Sequence, residues 1–182
     1  MNFPGRILFD TNVVNFTLDW AEVIFDEGDL PSHIHHRDKS DVLALRSIFM
    51  TGQRASWQLA ISPLTYREIM ATPNPDRRAS LEKWFGELWQ YWREFFEQEN
   101  LSDECADSLA RNLEPSKFLL AIPQISDKKL IAHAISYGCD GFCTRDRKTI
   151  LRHREKLRGV PLCFISPAEW RNLVRRYEAI WA

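Results

Sequence analysis

The chain lacks any apolar run near the roughly 18 residues that a membrane-spanning helix needs. Its opening, MNFPGRILFD, holds no secretory apolar core before charge returns. A cytoplasmic protein without membrane contact is expected. Charge of one sign is missing too: 24 Lys and Arg stand against 25 Asp and Glu, a formal net charge of -1. The overall balance therefore draws the molecule to neither nucleic acid nor membrane, and any polyanion site must come from local clustering. The four cysteines, Cys105, Cys139, Cys143 and Cys163, form no CxxC pair. That removes the zinc-knuckle and dithiol redox signals. Their apolar neighbours mark them as small packing hydrophobes. Internal repeats and low-complexity tracts are absent as well.

What is present suits one domain spanning residues 1–182, with 45% apolar and 27% charged residues. Residues 6–10 read as a short buried strand, followed by a helix from Thr11 to about Phe25. DEGDLPSHIHHRDKS is a polar loop, and Ser40 and Asp41 open a helix that ends at Gly52. WQLAIS is the second strand. Pro63 stops it, and LTYREIM begins a helix. From about residue 76 to 98 the apolar positions 81, 84, 85, 88, 89, 92, 95 and 96 keep helical spacing with a wide apolar face. A further helix runs from Ser102 to Leu113, so the segment from about 74 to 120 is enlarged and helical. Ser126 caps a helix over 127–137 that Gly138 ends. GFCT is a strand, RDRKTILRHREKL a helix and PLCFIS the last strand. Ser166 then caps a final helix with Pro167 at its first position. Short apolar strands alternating with helices predict an α/β/α sandwich on a mostly parallel sheet of four to five strands.

In such sheets, sites form beyond the carboxyl ends of the strands. Asp10 follows the first strand. Glu68 lies in the first turn of the helix after the second. Asp127 opens the helix that feeds the third, and Asp146 follows GFCT with one residue between. Each has an ordinary structural role open to it. Asp10 and Asp146 can cap or start turns. Thr65 and Glu68 fit a capping box, and Asp127 suits a helix dipole. The order and setting of all four together ask for more.

ILFDTNVVNF, LTYREIM, SDKKLIAHAISYGCDGFCTRD and LCFISPAEW resemble the successive motifs of PIN-domain nucleases. The resemblance runs from residue 6 to about 170 and is weakest between 73 and 120. It implies a PIN-like fold, a divalent-metal-dependent ribonuclease leaving a 5′-phosphate and a 3′-hydroxyl, and an acidic site of Asp10, Glu68, Asp127 and Asp146. Asn12 and Thr144 match the polar supports beside that site, whereas Asp140 is structural. Many small members are toxins paired with an antitoxin-type inhibitor protein, and many form homodimers. Those partners join RNA as expectations of the resemblance. A non-catalytic or inhibited RNA- or protein-binding module is the rival.

The chemistry asks for a cation. Two carboxylates about 4 Å apart repel by roughly 4 kcal/mol at an effective dielectric of ~20, so a shared site takes either a proton or a metal. Oxygen donors without Cys or His favour Mg²⁺ or Mn²⁺ over zinc. Residues 145–158 carry seven Lys or Arg against two acids. Arg145, Arg147, Lys148 and Arg152 are the candidate RNA contacts, and a solvated helix face is the alternative. His33, His35 and His36 sit in a polar loop without the convergent partners that a transition metal requires. The aromatic helix around Trp84, Phe85, Trp89, Tyr91, Trp92, Phe95 and Phe96 suits core or dimer contacts better than base stacking. An aspartyl phosphatase would need a second Asp two residues after Asp10, where this chain has Asn12.

Overall fold

A computed structural model describes residues 4–26, 28–52, 57–98, 103–113 and 115–181. Strand β1 (Arg6–Phe9) lies at the centre of the sheet, and Ile7, Leu8 and Phe9 are at most 2% exposed. Successive strand residues point to opposite faces, so helices cover the sheet on both sides. β1 pairs with β2 (Gln58–Ala60) on one flank and β3 (Gly141–Cys143) on the other, and β4 (Cys163–Ile165) follows β3. The order is β2-β1-β3-β4 and every pair is parallel. The α/β class and the parallel sheet agree with the sequence pattern.

The first expected helix divides in two. α1 (Thr11–Asp19) and α2 (Ala21–Phe25) meet at Trp20, which leaves helical geometry with φ -118° and ψ 21°. α3 (His36–Gly52) starts at His36, ahead of the expected Ser40. His35 caps it, its Nδ1 accepting the Arg37 N–H at 3.2 Å and its carbonyl the Lys39 N–H at 3.0 Å. One member of the histidine cluster is thus a helix cap. Asp41, expected at the helix opening, instead lies inside α3 and is buried.

α4 (Pro63–Met70), α5 (Pro75–Gln98), α6 (Asp103–Leu113) and α7 (Ile125–Ser136) follow, with one 3-10 turn at Lys117–Leu119. In α5, Leu81, Phe85 and Trp92 are buried, while Tyr91 is exposed. Trp92 meets Tyr137 with ring centroids 5.6 Å apart. This face therefore belongs to the core; the side chains of Phe95, Phe96 and Cys105 lie outside the described ones. Gln124, not Ser126, holds the cap position of α7, without a side-chain bond. Its far end closes at Gly138, whose φ of +65° favours glycine. The Gly138 N–H bonds Ile135 O at 3.0 Å and the Cys139 N–H bonds Ala134 O at 2.9 Å, the paired bonds of a Schellman stop.

The run 145–157 is not one helix. It opens with a turn at 147–149, continues as α8 (Ile150–His153) and ends in a 3-10 turn at Arg154–Leu157. The Asp146 carboxylate draws in the Lys148 and Thr149 amides, which bends the chain before a helix can form. α9 (Pro167–Trp181) starts where expected: Glu169 N–H reaches Ser166 Oγ at 3.3 Å and Ser166 N–H returns to Glu169 Oε2 at 2.9 Å.

α3 packs on α9, α6 on α7 and α4 on α5. Phe9 meets Phe49 of α3 and Trp170 of α9 edge-on at 6.1 and 5.9 Å, which ties that helical pair to the central strand. Cys139 and Cys143 are buried and Cys163 half-buried, all as free thiols. Among the described residues, no helix is long and apolar enough to cross a membrane.

Candidate functional site

Chain order reverses direction in this sheet between β1 and β3, where open α/β sheets leave a crevice at the carboxyl ends of their strands. Asp10 leaves β1 at that point and Thr144 leaves β3 beside it. α7 starts on the same edge, since it runs back along the sheet to feed β3. Asp140 marks the opposite edge: its carboxylate takes the Gly5 and Arg6 amides at 2.9 Å each and locks the start of β1 to β3.

Asp10 does not cap α1 with its side chain. Its Oδ2 accepts from Asn12 Nδ2 at 2.6 Å and from Thr144 Oγ1 at 2.5 Å. Asn12 Nδ2 also donates to Thr144 Oγ1 at 3.2 Å, and the Arg145 N–H fixes Asn12 Oδ1 at 2.9 Å. Asn12 and Thr144 therefore orient this carboxylate directly. Burial drives its pKa up to about 7, against the pull of the Thr144 hydroxyl and the Asn12 backbone. The charges of Asp127 and Glu68 push the same way as burial.

The capping box expected at Thr65 and Glu68 does not form. Ser62 caps α4, its Oγ accepting the Leu64 N–H at 3.1 Å. Buried Thr65 instead accepts from Thr11 Oγ1 at 3.1 Å. Glu68 thus falls in the second turn rather than the first, exposed and without a capping duty. Asp127 stands in the first turn of α7. Burial first, then the charges of Asp146 and Glu68, raise its pKa to about 6. Its Oδ2 is buried without a hydrogen-bond partner, a costly state for a carboxylate oxygen.

Asp146 behaves differently. Burial raises its pKa, but the Thr149 hydroxyl, the Thr149 and Lys148 amides and the Lys148 charge outweigh that and hold it below the usual range. Oδ1 accepts the Lys148 and Thr149 N–H groups at 2.9 and 2.8 Å, and Oδ2 the Thr149 hydroxyl. Its turn-forming role is real, and it carries its charge into the site as well.

The basic run is largely paired. Arg145 reaches Asp38 at 2.5 Å and Asp41 at 3.1 Å, and Arg147 reaches Asp41 at 3.0 Å. Arg154 bridges to Glu169 and Arg158 to Glu155. Lys148, Arg152 and Lys156 have no ion-pair partner among the described residues. The Arg145 guanidinium lies 3.4 Å over the Phe16 ring, so it ties the loop after β3 to α1 and α3. As a free RNA contact, Arg145 is the weakest of the four candidates.

Sequence reasoning missed Asp41, which is 1% exposed and serves both guanidiniums. The signal was its spacing. Asp41 shares a helix face with Leu45 and Ile48, and an acid in an apolar stripe needs a buried partner. A second polar cluster, Ser62 Oγ to His133 Nδ1 at 3.1 Å and His133 Nε2 to Asp107 at 3.3 Å, resembles a nucleophile relay in its residues only. Ser62 is 0% exposed and caps α4, so it cannot reach a substrate.

No three or more His, Cys, Asp or Glu side chains among the described residues lie close enough to hold a metal ion as they stand. Mg²⁺ needs no such cage, because it keeps several waters and takes one or two carboxylates. The donor chemistry fits it: an all-oxygen set, two acids whose proton affinity is raised by burial and by neighbouring carboxylates, and an unpartnered buried oxygen on Asp127. No family model matches the chain, and no curated protein or solved structure matches it either.

Proposed function

We propose that this chain is a divalent-metal-dependent ribonuclease with a PIN-type acidic site. One observation supports the reading: Asp10, at the switch point of a parallel sheet, and Asp127, in the first turn of α7, both resist ionisation through burial and through neighbouring carboxylates, Asp127 and Glu68 acting on Asp10 and Asp146 and Glu68 on Asp127. Acids whose proton affinity is raised by burial and by a neighbouring charge mark a candidate functional site. Asp10 and Asp127 would hold Mg²⁺ or Mn²⁺ directly, with Glu68 and Asp146 acting through water. Bound there, the ion supplies an acidified water and charge stabilisation at the phosphoryl group.

The chain's own residues do the rest. Asn12 and Thr144 keep Oδ2 of Asp10 engaged and so fix the direction of its other oxygen. Glu68, exposed on α4, would accept the proton of the attacking water. The water oxygen forms a bond to phosphorus, the bond from phosphorus to the 3′-oxygen breaks, that oxygen takes up a proton from solvent to leave as a hydroxyl, and Glu68 returns its proton to solvent.

The rival, a non-catalytic binding module, draws support from Asp146, whose two oxygens are both engaged by its own loop. Incubation with single-stranded RNA separates the two, using Mn²⁺, Mg²⁺ or EDTA and the variants Asp10→Asn and Asp127→Asn. Metal-dependent cleavage that both variants lose supports the nuclease. Equal cleavage by wild type and variants sinks it.

A further inference from the structure

A cleft of about 310 Å³ opens beside Asp146, between the start of α3 and the 145–148 loop. That is the small end of the roughly 300–1,000 Å³ range of ligand sites. Arg37 comes to it from α3, and Arg147 and Lys148 come from the loop, more than 100 positions away in sequence. Its base is a built structure. Asp41, 1% exposed, holds Arg145 Nε at 3.1 Å and Arg147 Nη2 at 3.0 and 3.2 Å, and Asp38 takes the other end of Arg145.

The lining holds four cations, Arg37, Arg145, Arg147 and Lys148, against three carboxylates, Asp38, Asp41 and Asp146, a net charge of +1, and its pairing picks out the residues that act. Asp38 and Asp41 neutralise Arg145 and Arg147. Asp146 is bonded within its own turn, with Lys148 close enough to lower its pKa. Arg37 and Lys148 then remain as exposed cations without an ion-pair partner among the described residues, at the lip of a concave surface. Arg147 gives both Asp41 contacts from one nitrogen, which leaves its other donors for a ligand.

We propose that this cleft is a backbone-phosphate subsite for single-stranded RNA, with Arg37 and Lys148 as the phosphate-contacting cations and Arg147 held in place by Asp41. The strand would pass from the acidic edge at Asp146 toward the start of α3. The loop HIHHRD thereby gains a role through Arg37 rather than through its histidines. The identity of the polymer rests on the ribonuclease reading; the subsite itself rests on the cleft.

The test is anisotropy of a labelled single-stranded RNA over a salt series, in EDTA so that nothing is cleaved. The double variant Arg37→Gln/Lys148→Gln should bind about five- to twentyfold more weakly, with a salt slope shallower by about 1.4. Arg158→Gln, which removes a charge paired to Glu155, should bind as wild type. Both substituted positions are exposed, so thermal melting should be unchanged. Wild type failing to bind, or the double variant matching it in affinity and slope, overturns the subsite. Equal effects on duplex DNA overturn the single-stranded assignment. Wild type that binds RNA through these residues yet never cleaves with metal defeats only the nuclease reading. Cleavage that ignores the double substitution, with unchanged binding, defeats only the subsite.

Discussion

The Thr144 hydroxyl donates to Asp10 Oδ2 over 2.5 Å, joining residues 134 positions apart at the ends of two neighbouring strands. Thr144 Oγ1 in turn accepts from Asn12 Nδ2 at 3.2 Å and from the Asp146 N–H at 2.9 Å. Thr144→Val keeps the shape and removes all three bonds. It should cost about 1–3 kcal/mol, since the partners stay buried without it, while Thr144→Ser should recover most of the loss. Urea denaturation at neutral pH reads both; an unshifted midpoint for valine would reject the role.

Asp10 sets a pH dependence whose sign follows from its raised pKa. Unfolded, it ionises near 3.8; folded, near 7. Between those values the native state holds a proton that the unfolded state releases, so stability falls as pH rises from about 4 to about 7. Asp127, raised to about 6, adds to the same decline. In EDTA, Asp10→Asn should flatten this slope and exceed wild type in stability near pH 8. Melting curves across that range check it, and a parallel profile for the variant would contradict it.

Divalent cations should reverse the decline. A ligand held only by the native state, present at about 100 times its Kd, stabilises by about 2.7 kcal/mol. Protons compete for the same oxygens, so Mn²⁺ should raise the melting temperature more at pH 8 than at pH 5.5. Asp127→Asn removes one unpartnered oxygen's charge and should lose most of that rise. No stabilisation of wild type at millimolar Mn²⁺ would count against a shared carboxylate site.

Asp41 and Asp19 offer a contrast between buried and exposed pairing. Asp41→Asn leaves Arg147 without a charged partner and Arg145 with Asp38 alone, at a buried position, and should cost about 1–3 kcal/mol. Asp19→Asn breaks a bond to Arg77 in which both side chains are well exposed, and should cost about 0–1 kcal/mol. Equal denaturation midpoints for the two variants would refute the difference in setting.

In α5, Trp92→Ala should cost about 3–5 kcal/mol as a core deletion, whereas Tyr91→Ala, at a position 41% exposed, should cost clearly less. Guanidinium denaturation separates these outcomes. A neutral Trp92 variant would mean that the apolar face of α5 lies outside the core.

Elements whose signal is local could be read from the chain. The buried triplet Ile7–Phe9, the helical spacing of α5 and the Ser166–Pro167 start of α9 each carry their cause within a few residues. The break at Trp20, the early start of α3 and the loss of the 145–157 helix could not be read so. In α3, the histidine that caps the start was indistinguishable from a loop residue. In the 145–157 run, a high count of helix-favouring residues hid a carboxylate that had already taken the first amides.

The site divides along the same line. The sequence by itself determined an α/β alternation, a parallel sheet and four acids placed after strands or at a helix start, because hydrophobic period and turn chemistry are local properties. Only the tertiary structure decided what those acids do. It released Glu68 from the capping box, since Ser62 takes that duty. It left Asp127 with an unpartnered oxygen and engaged Asp146 in its own turn. It also turned four of the seven cations of a basic run into ion pairs, two of them through an acid on α3 that lies over 100 residues away. Burial and charge neighbours are set by packing across distant segments, and those two quantities decide whether a carboxylate is a cap, a clamp or a ligand.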